Sequence, residues 1–160
     1  MIKIFIMDVD GVLTDSGMYY SENGDELKRF STYDGKAMEF LRNKGIKTAI
    51  ITSENTQIVS RRSKKMGIDF LFQGVDDKLT VAKDLCSGEG ILLESEASYV
   101  GDDVNDLELL ELVNFKACPK NSVERVKSIK DILVLHTKGG DGAVREFVDF
   151  IISKGFCDDK

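Results

Sequence analysis

Histidine occurs once and cysteine three times among the 160 residues of this chain. A lone histidine speaks against a histidine-rich zinc site, and His136, at the end of an apolar run, is expected to be structural. Cys86, Cys118 and Cys157 lack CxxC spacing, and so sparse and odd a count fits reduced thiols in a cytoplasmic protein. No apolar run approaches the roughly 18–20 residues that span a bilayer, so no membrane partner is expected. The chain moves from Met1 directly into a strand pattern, which argues against a secretory leader. An excess of basic charge is also missing. The net charge of −6 argues against a nucleic-acid partner, although a metal and a local cluster can still attract an anionic substrate. Hydrophobic residues make up 42% and charged residues 31%, the balance of an ordinary folded protein. The length suits one domain over residues 1–160.

What is present alternates. Strand-like runs occur at 2–7, 47–52, 70–72, 98–101, 115–118 and 132–135, with helical periodicity between them. Ala37, Phe40 and Leu41 share one helical face, and Leu79, Ala82, Leu85 and Cys86 share another. Asp34 is expected to cap the first helix and Gly45 to end it. Such alternation implies an α/β fold, a Rossmann-like parallel sheet sandwiched by helices. One segment departs from it. Residues 18–30 carry Asn23-Gly24 between two extended stretches, which predicts a β-hairpin flap after the first strand. A hairpin alone in water is marginal, so packing on another subunit is expected. Residues 155–160 are expected to fray.

The chemistry is carried by Asp8-Val9-Asp10-Gly11-Val12-Leu13-Thr14, directly after the first strand. Strand side chains alternate, so Asp8 and Asp10 point to one side, and two like charges so placed need a cation or a shared proton. Thr52, Lys78 and the pair Asp102-Asp103 stand at the ends of later elements. The carboxyl ends of parallel strands share one sheet edge, so these distant residues can converge. Magnesium takes hard oxygen ligands, and lysine and threonine can hold phosphoryl oxygens. No GxxxxGK[ST] loop is present, which excludes a P-loop nucleotide hydrolase.

Asp8–Asp15, Thr52, Lys78 and Gly101–Asp106 together resemble the four motifs of the haloacid dehalogenase-like phosphatases. The hairpin, Phe72-Gln73-Gly74 and Gly139–Glu146 resemble the branch that acts on 2-keto-3-deoxy sugar-acid phosphates. The resemblance implies Asp8 as nucleophile and Asp10 as general acid and base. It implies Mg²⁺ held by Asp8, the Asp10 backbone carbonyl and Asp102, with Thr52 and Lys78 on the phosphoryl group. Asp103 and Asp106 would orient Lys78 or metal-bound water.

The chain has no insertion large enough for a cap, and the resemblance implies a homotetramer whose neighbouring subunits close each site. The hairpin and the glycine-rich segment ending in Arg145 are the expected closing parts, with Arg145 offering a guanidinium to the sugar carboxylate. The bland alternative for Arg145 is a helix start with a surface arginine. Ser53-Glu54 follows Thr52 where octulosonate phosphatases typically carry Gly-Arg. Glu54 therefore favours a sialic-acid-type nonulosonate 9-phosphate over 3-deoxy-manno-octulosonate 8-phosphate. Arg62 and Lys65, in the basic run 61–65, either form a solvated helix face or contact substrate across subunits. Two other classes compete: a receiver-like phosphoacceptor domain, and a non-catalytic oligomerisation module.

Overall fold

The structure, a computed structural model, describes residues 1–157. Its strands are β1 (Ile4–Met7), β2 (Tyr19–Tyr20), β3 (Glu26–Leu27), β4 (Lys47–Ile51), β5 (Phe70–Phe72), β6 (Ala97–Val100), β7 (Phe115–Cys118) and β8 (Leu133–Val134). Its helices are α1 (Thr32–Asn43), α2 (Gln57–Met66), α3 (Lys78–Gly88), α4 (Leu93–Glu96), α5 (Leu107–Leu112), α6 (Glu124–Lys127) and α7 (Ala143–Ser153). A 3₁₀ turn, Val104–Asp106, precedes α5.

Six strands pair in parallel in the order β5-β4-β1-β6-β7-β8. Numbered along the chain without the hairpin, that order is 3-2-1-4-5-6, the doubly wound dinucleotide-fold order. Receiver-type folds run 2-1-3-4-5, so topology removes the receiver alternative. The order reverses beside β1, where β4 lies on one side and β6 on the other. A crevice must open there at the carboxyl edge.

All of β1 is buried, as a strand covered on both faces should be. Phe5 and Met7 pack with α1, α2 and α7, while Ile4 and Ile6 pack with α3 and α5 on the opposite face. The Phe5 and Phe147 rings sit 5.7 Å apart between sheet and α7. Burial of each such ring stabilises the fold by roughly 1.5–3 kcal/mol.

Two local outcomes, the cap of α1 and the packing of the C-terminal residues, differ from the sequence reading, and the expected end of α1 at Gly45 is met. Ser31, not Asp34, caps α1, its hydroxyl accepting from the Tyr33 N–H. Gly45 follows the helix end with φ of 71° and donates to Arg42, as a terminating glycine does. Gly155–Cys157 pack rather than fray: Ile2 N–H donates to the Phe156 carbonyl, Phe156 contacts Phe115, and Cys157 is buried. Residues 158–160 of that expectation lie outside the described residues. All three cysteines are free and buried.

Asp34 is instead a fully buried group inside the first turn of α1. One carboxylate oxygen accepts the Arg145 N–H and the other has no partner among the described residues. Burial pushes its carboxyl up to about 6, against hydrogen bonds and the Arg62 charge that pull it down. A raised acid binds its proton more tightly folded than unfolded, so its ionisation weakens the fold as pH rises from about 4 through about 6. Asp34→Asn keeps the acceptor and cannot ionise. The expected result is a shallower fall in melting temperature across that window, read by scanning calorimetry. A slope equal to wild type would count against the raised Asp34.

Candidate active site

β1, β4 and β6 end side by side, and the next residue or two of each carries a functional group: Asp8, Thr52 and Asp102. Asp8 N–H donates to the Val100 carbonyl, prolonging the β1–β6 pairing to the edge. The chain then curls, with the N–H groups of Val12, Leu13 and Thr14 all donating to the Val9 carbonyl. Gly11 is required in that curl. Its φ is 81°, and a Cβ there would fall 1.8 Å from Asp102 Oδ2. Lys78 opens α3 because Asp77 caps that helix, accepting from Thr80 N–H.

Lys78 is 2% exposed, with Nζ 2.8 Å from Asp8 Oδ2 and 2.7 Å from Asp106 Oδ1. Burial alone would lower its pKa, but the charges of Asp8 and Asp106 outweigh that and raise it. Asp106 Oδ1 also accepts from Tyr99 Oη at 2.5 Å, and Oδ2 accepts the N–H groups of Asp102 and Asp103. Four donors fill its carboxylate, so Asp106 holds its neighbours in place and has little capacity left for a ligand. Asp103 is exposed and caps the 3₁₀ turn, accepting from Val104 N–H at 2.7 Å and not from Lys78.

Asp8, Asp102 and Asp106 each place a carboxylate oxygen within 4.8 Å of the others. With Asp106 saturated, Asp8 and Asp102 remain as hard oxygen donors, and Gly11 leaves the space in which Asp102 approaches. Burial, then the charge of Asp106, raises Asp8 to about 7 despite Lys78. Burial and neighbouring carboxylates, Asp8 foremost, raise Asp102 to about 8. Two carboxyl groups this reluctant to ionise lie where positive charge is in deficit, and the donor set fits a magnesium ion.

A cavity of about 250 Å³ opens over them, lined by Asp8, Asp10, Thr52, Ser53, Glu54 and Asp102, with Ser16, Asp103 and Asn105 at its edges. The structure thus brings together Asp8, Asp10, Thr52, Glu54, Asp102 and Asp103, with Lys78 beneath. It does not bring in the other basic residues named from sequence, within one chain. Arg62 turns inward, donating to the Ser31 carbonyl at 2.6 Å and lying over the Phe30 ring. Lys65 is exposed and does not line the cavity. Arg145 binds both oxygens of Asp149, stacks 4.6 Å from the Phe40 ring and lines a separate surface groove of about 560 Å³. The glycine-rich segment before it is packed against the first loop: a Cβ on Gly139 would fall 1.9 Å from the Gly11 carbonyl.

Two residues escaped the sequence reading. Asn121 donates to the Gly11 carbonyl and accepts from Gly139 N–H, tying that segment to the Asp8–Thr14 loop. Lys28, just past the hairpin, reaches both Asp10 oxygens and Glu54. Alternation along 26–30 was the available signal, since Lys28 and Phe30 share a side.

A family model described as haloacid dehalogenase-like hydrolase matches residues 48–147. The 3-deoxy-D-manno-octulosonate 8-phosphate phosphatase of Salmonella typhi is 37% identical over 151 residues, 94% of this chain and 79% of that protein. The crystal structure of the phosphatase of the same name from Moraxella catarrhalis, in complex with magnesium ion, phosphate ion and KDO, superposes with a TM-score of 0.90 at 39% identity, covering 95% of this chain and 86% of that one. The cobalt-bound deoxy-D-mannose-octulosonate 8-phosphate phosphatase of Haemophilus influenzae superposes with a TM-score of 0.88 at 36% identity, covering 95% and 88%.

Proposed function

This chain belongs to the haloacid dehalogenase-like hydrolases and is a magnesium-dependent phosphatase, and we propose that its substrate is 3-deoxy-D-manno-octulosonate 8-phosphate. The observation that carries the substrate is likeness over almost the whole chain to relatives named for that reaction. It displaces the nonulosonate 9-phosphate favoured from Glu54. That preference rested on the likeness of Glu54 to the nonulosonate branch; in the structure Glu54 is bonded at 2.7 Å to Lys28, which it shares with Asp10.

In this reading Asp8 is the nucleophile. It attacks phosphorus in line, the bond to the sugar oxygen breaks, and an aspartyl phosphate forms. Asp10 gives the departing oxygen a proton and then takes one from the water that hydrolyses the aspartyl phosphate. Lys78 fixes the Asp8 carboxylate and offsets charge as the phosphoryl group arrives, with Thr52 as a further donor. Asp106, itself held by the Tyr99 hydroxyl, accepts from Lys78 and fixes it. Asp8, the Asp10 carbonyl and Asp102 would hold magnesium, which would supply the positive charge that these anions need. Asp103 shapes the turn that presents Asp102.

Phosphate release from the two candidate substrates, measured side by side, tests the choice. The octulosonate ester should show the higher kcat/KM, by about 10-fold or more, equal to about 1.4 kcal/mol of transition-state binding. The reverse order would restore the nonulosonate reading.

The assembly belongs to the same proposal. Met18, Tyr19, Tyr20 and Leu27 crowd the hairpin with exposed apolar surface, Tyr20 at 69% and Leu27 at 64%. Such a patch supports burial against other copies in a homotetramer. There Lys65 and Arg145 would face a neighbour's substrate, whereas Arg62, turned inward onto Ser31 and Phe30, would not. Sedimentation should show a tetramer, and Tyr20→Glu with Leu27→Glu should dissociate it and lower activity on the sugar ester by about 10-fold or more, since an open site weakens electrostatic stabilisation. A monomer of full activity would end this part of the proposal.

A further inference from the structure

We propose that Lys28 is a positioning residue that holds Asp10 and Glu54 in fixed register across the cavity mouth, so that the hairpin limb determines where the leaving oxygen meets its acid. This inference rests on the phosphatase reading above. Lys28 Nζ lies 2.7 and 2.8 Å from the two Asp10 oxygens and 2.7 Å from Glu54 Oε2. Its side chain has no exposed surface. An ammonium has three protons, and three acceptors take them.

The two carboxylates come from different parts of the chain. Asp10 belongs to the loop after β1 and Glu54 to the loop after β4. Both approach one nitrogen, so without it they would face each other as unshielded like charges. The other bond restraining Asp10 is a single donation from Thr14 Oγ1 at 3.2 Å, and nothing else among the described residues holds Glu54 by its side chain. Lys28 is therefore the main restraint on the rotamer of Asp10. That rotamer matters because a general acid must lie within hydrogen-bond reach of the oxygen it protonates.

The position of Lys28 is set in turn by the hairpin. Thr14 and Phe30 form an antiparallel bridge at its base. Next to Lys28, Arg29 binds Asp141 at 2.8 Å. The ammonium is thus delivered by a segment anchored on both sides.

The leaving group separates a positioning role from a structural one. A sugar alkoxide needs the Asp10 proton to depart, whereas p-nitrophenolate departs without one. Lys28→Met, in the full chain with Mg²⁺, should lower kcat on the sugar-acid phosphate by at least about 30-fold, within the range of general acid catalysis. First-turnover release of p-nitrophenol from p-nitrophenyl phosphate, read by rapid mixing, should change by less than about 3-fold. Adding Glu54→Gln to Lys28→Met removes the repulsion and should recover about 5-fold or more of the sugar-ester rate, a non-additivity that independent residues would not show. Lys28→Arg keeps the charge and should hold the ratio of the two rates near wild type, which keeps the test open if the methionine variant does not fold.

Equal losses on both esters, or an unchanged sugar-ester rate, would overturn the proposal. So would strict additivity of Lys28→Met and Glu54→Gln. A wild-type protein that hydrolysed neither ester would bring down the phosphatase reading and this inference together. A wild type active on both, with an unchanged ratio in Lys28→Met, would bring down this inference alone.

Discussion

Asp8→Asn should abolish phosphate release while the protein stays folded. The substitution preserves shape, and its amide oxygen can still accept from Lys78, which lies 2.8 Å from Asp8 Oδ2. It removes the oxygen anion that attacks phosphorus. The neighbouring carboxylates are committed elsewhere: Asp106 is saturated by its four donors, Asp10 is bound through both oxygens by Lys28, and Asp102 is assigned to the metal. The loss expected for a missing nucleophile is on the order of 10⁴-fold or more in kcat. Stability should move the other way. Asp8 is raised to about 7 by burial and the charge of Asp106, so a neutral group there relieves a strain that function requires. In metal-free buffer at pH 8 the variant should melt no lower than wild type. Acid quench of the wild type during turnover should leave phosphate covalently on Asp8, and the variant should carry none. Turnover of Asp8→Asn near the wild-type rate would remove Asp8 from the role of nucleophile.

The residues of that site were legible because topology constrains them. Once strands alternate with helices, the sheet is parallel, its carboxyl ends share an edge, and residues 8, 52 and 102 must meet there. The bounds of β5 and β7 follow for a similar local reason: Phe70–Phe72 is an apolar run, Phe115–Cys118 is apolar except for Lys116, and turn residues close both. Pairings between distant, flexible side chains were not legible. Alternation along 26–30 puts Lys28 on the same side as Phe30 but does not name Asp10 and Glu54 as its partners. Missing that pair left Glu54 to be read only as a substrate contact, although it is also bonded to Lys28. Arg62 shows the same limit on a smaller scale. A run of basic residues on a helix does not say which one turns inward, and here it is the one facing Ser31 and Phe30. Asp34 looked like a cap because acids favour helix starts, but Ser31 stands one step before the helix, where a cap must be. The Arg145–Asp149 pair has the i,i+4 spacing of a helix face, so its local partner was within reach of the sequence.

Removal of magnesium has the second large effect. In excess EDTA the activity should fall below detection, and added Mg²⁺ should restore it. Asp8 and Asp102 are raised to about 7 and about 8 chiefly by burial, with neighbouring carboxylates adding to it. Among the described residues Lys78 is the one cation bonded to Asp8, and Asp106 shares it. Without a further positive charge, an arriving phosphate ester meets Asp8, Asp10, Glu54 and Asp102 lining one cavity. Repulsion of that kind acts on binding and on the chemical step alike. The oxygen-only donor set selects a hard ion, so zinc alone should not replace magnesium. A folding readout accompanies the activity. An ion bound only by the folded protein at 100 times its Kd adds about 2.7 kcal/mol, or roughly 5–10 °C in Tm for a domain of this size. Asp102→Asn should erase most of that thermal shift while leaving the metal-free protein folded. Full activity in EDTA, or a magnesium-induced shift that survives in Asp102→Asn, would mean that the ion does not sit between Asp8 and Asp102.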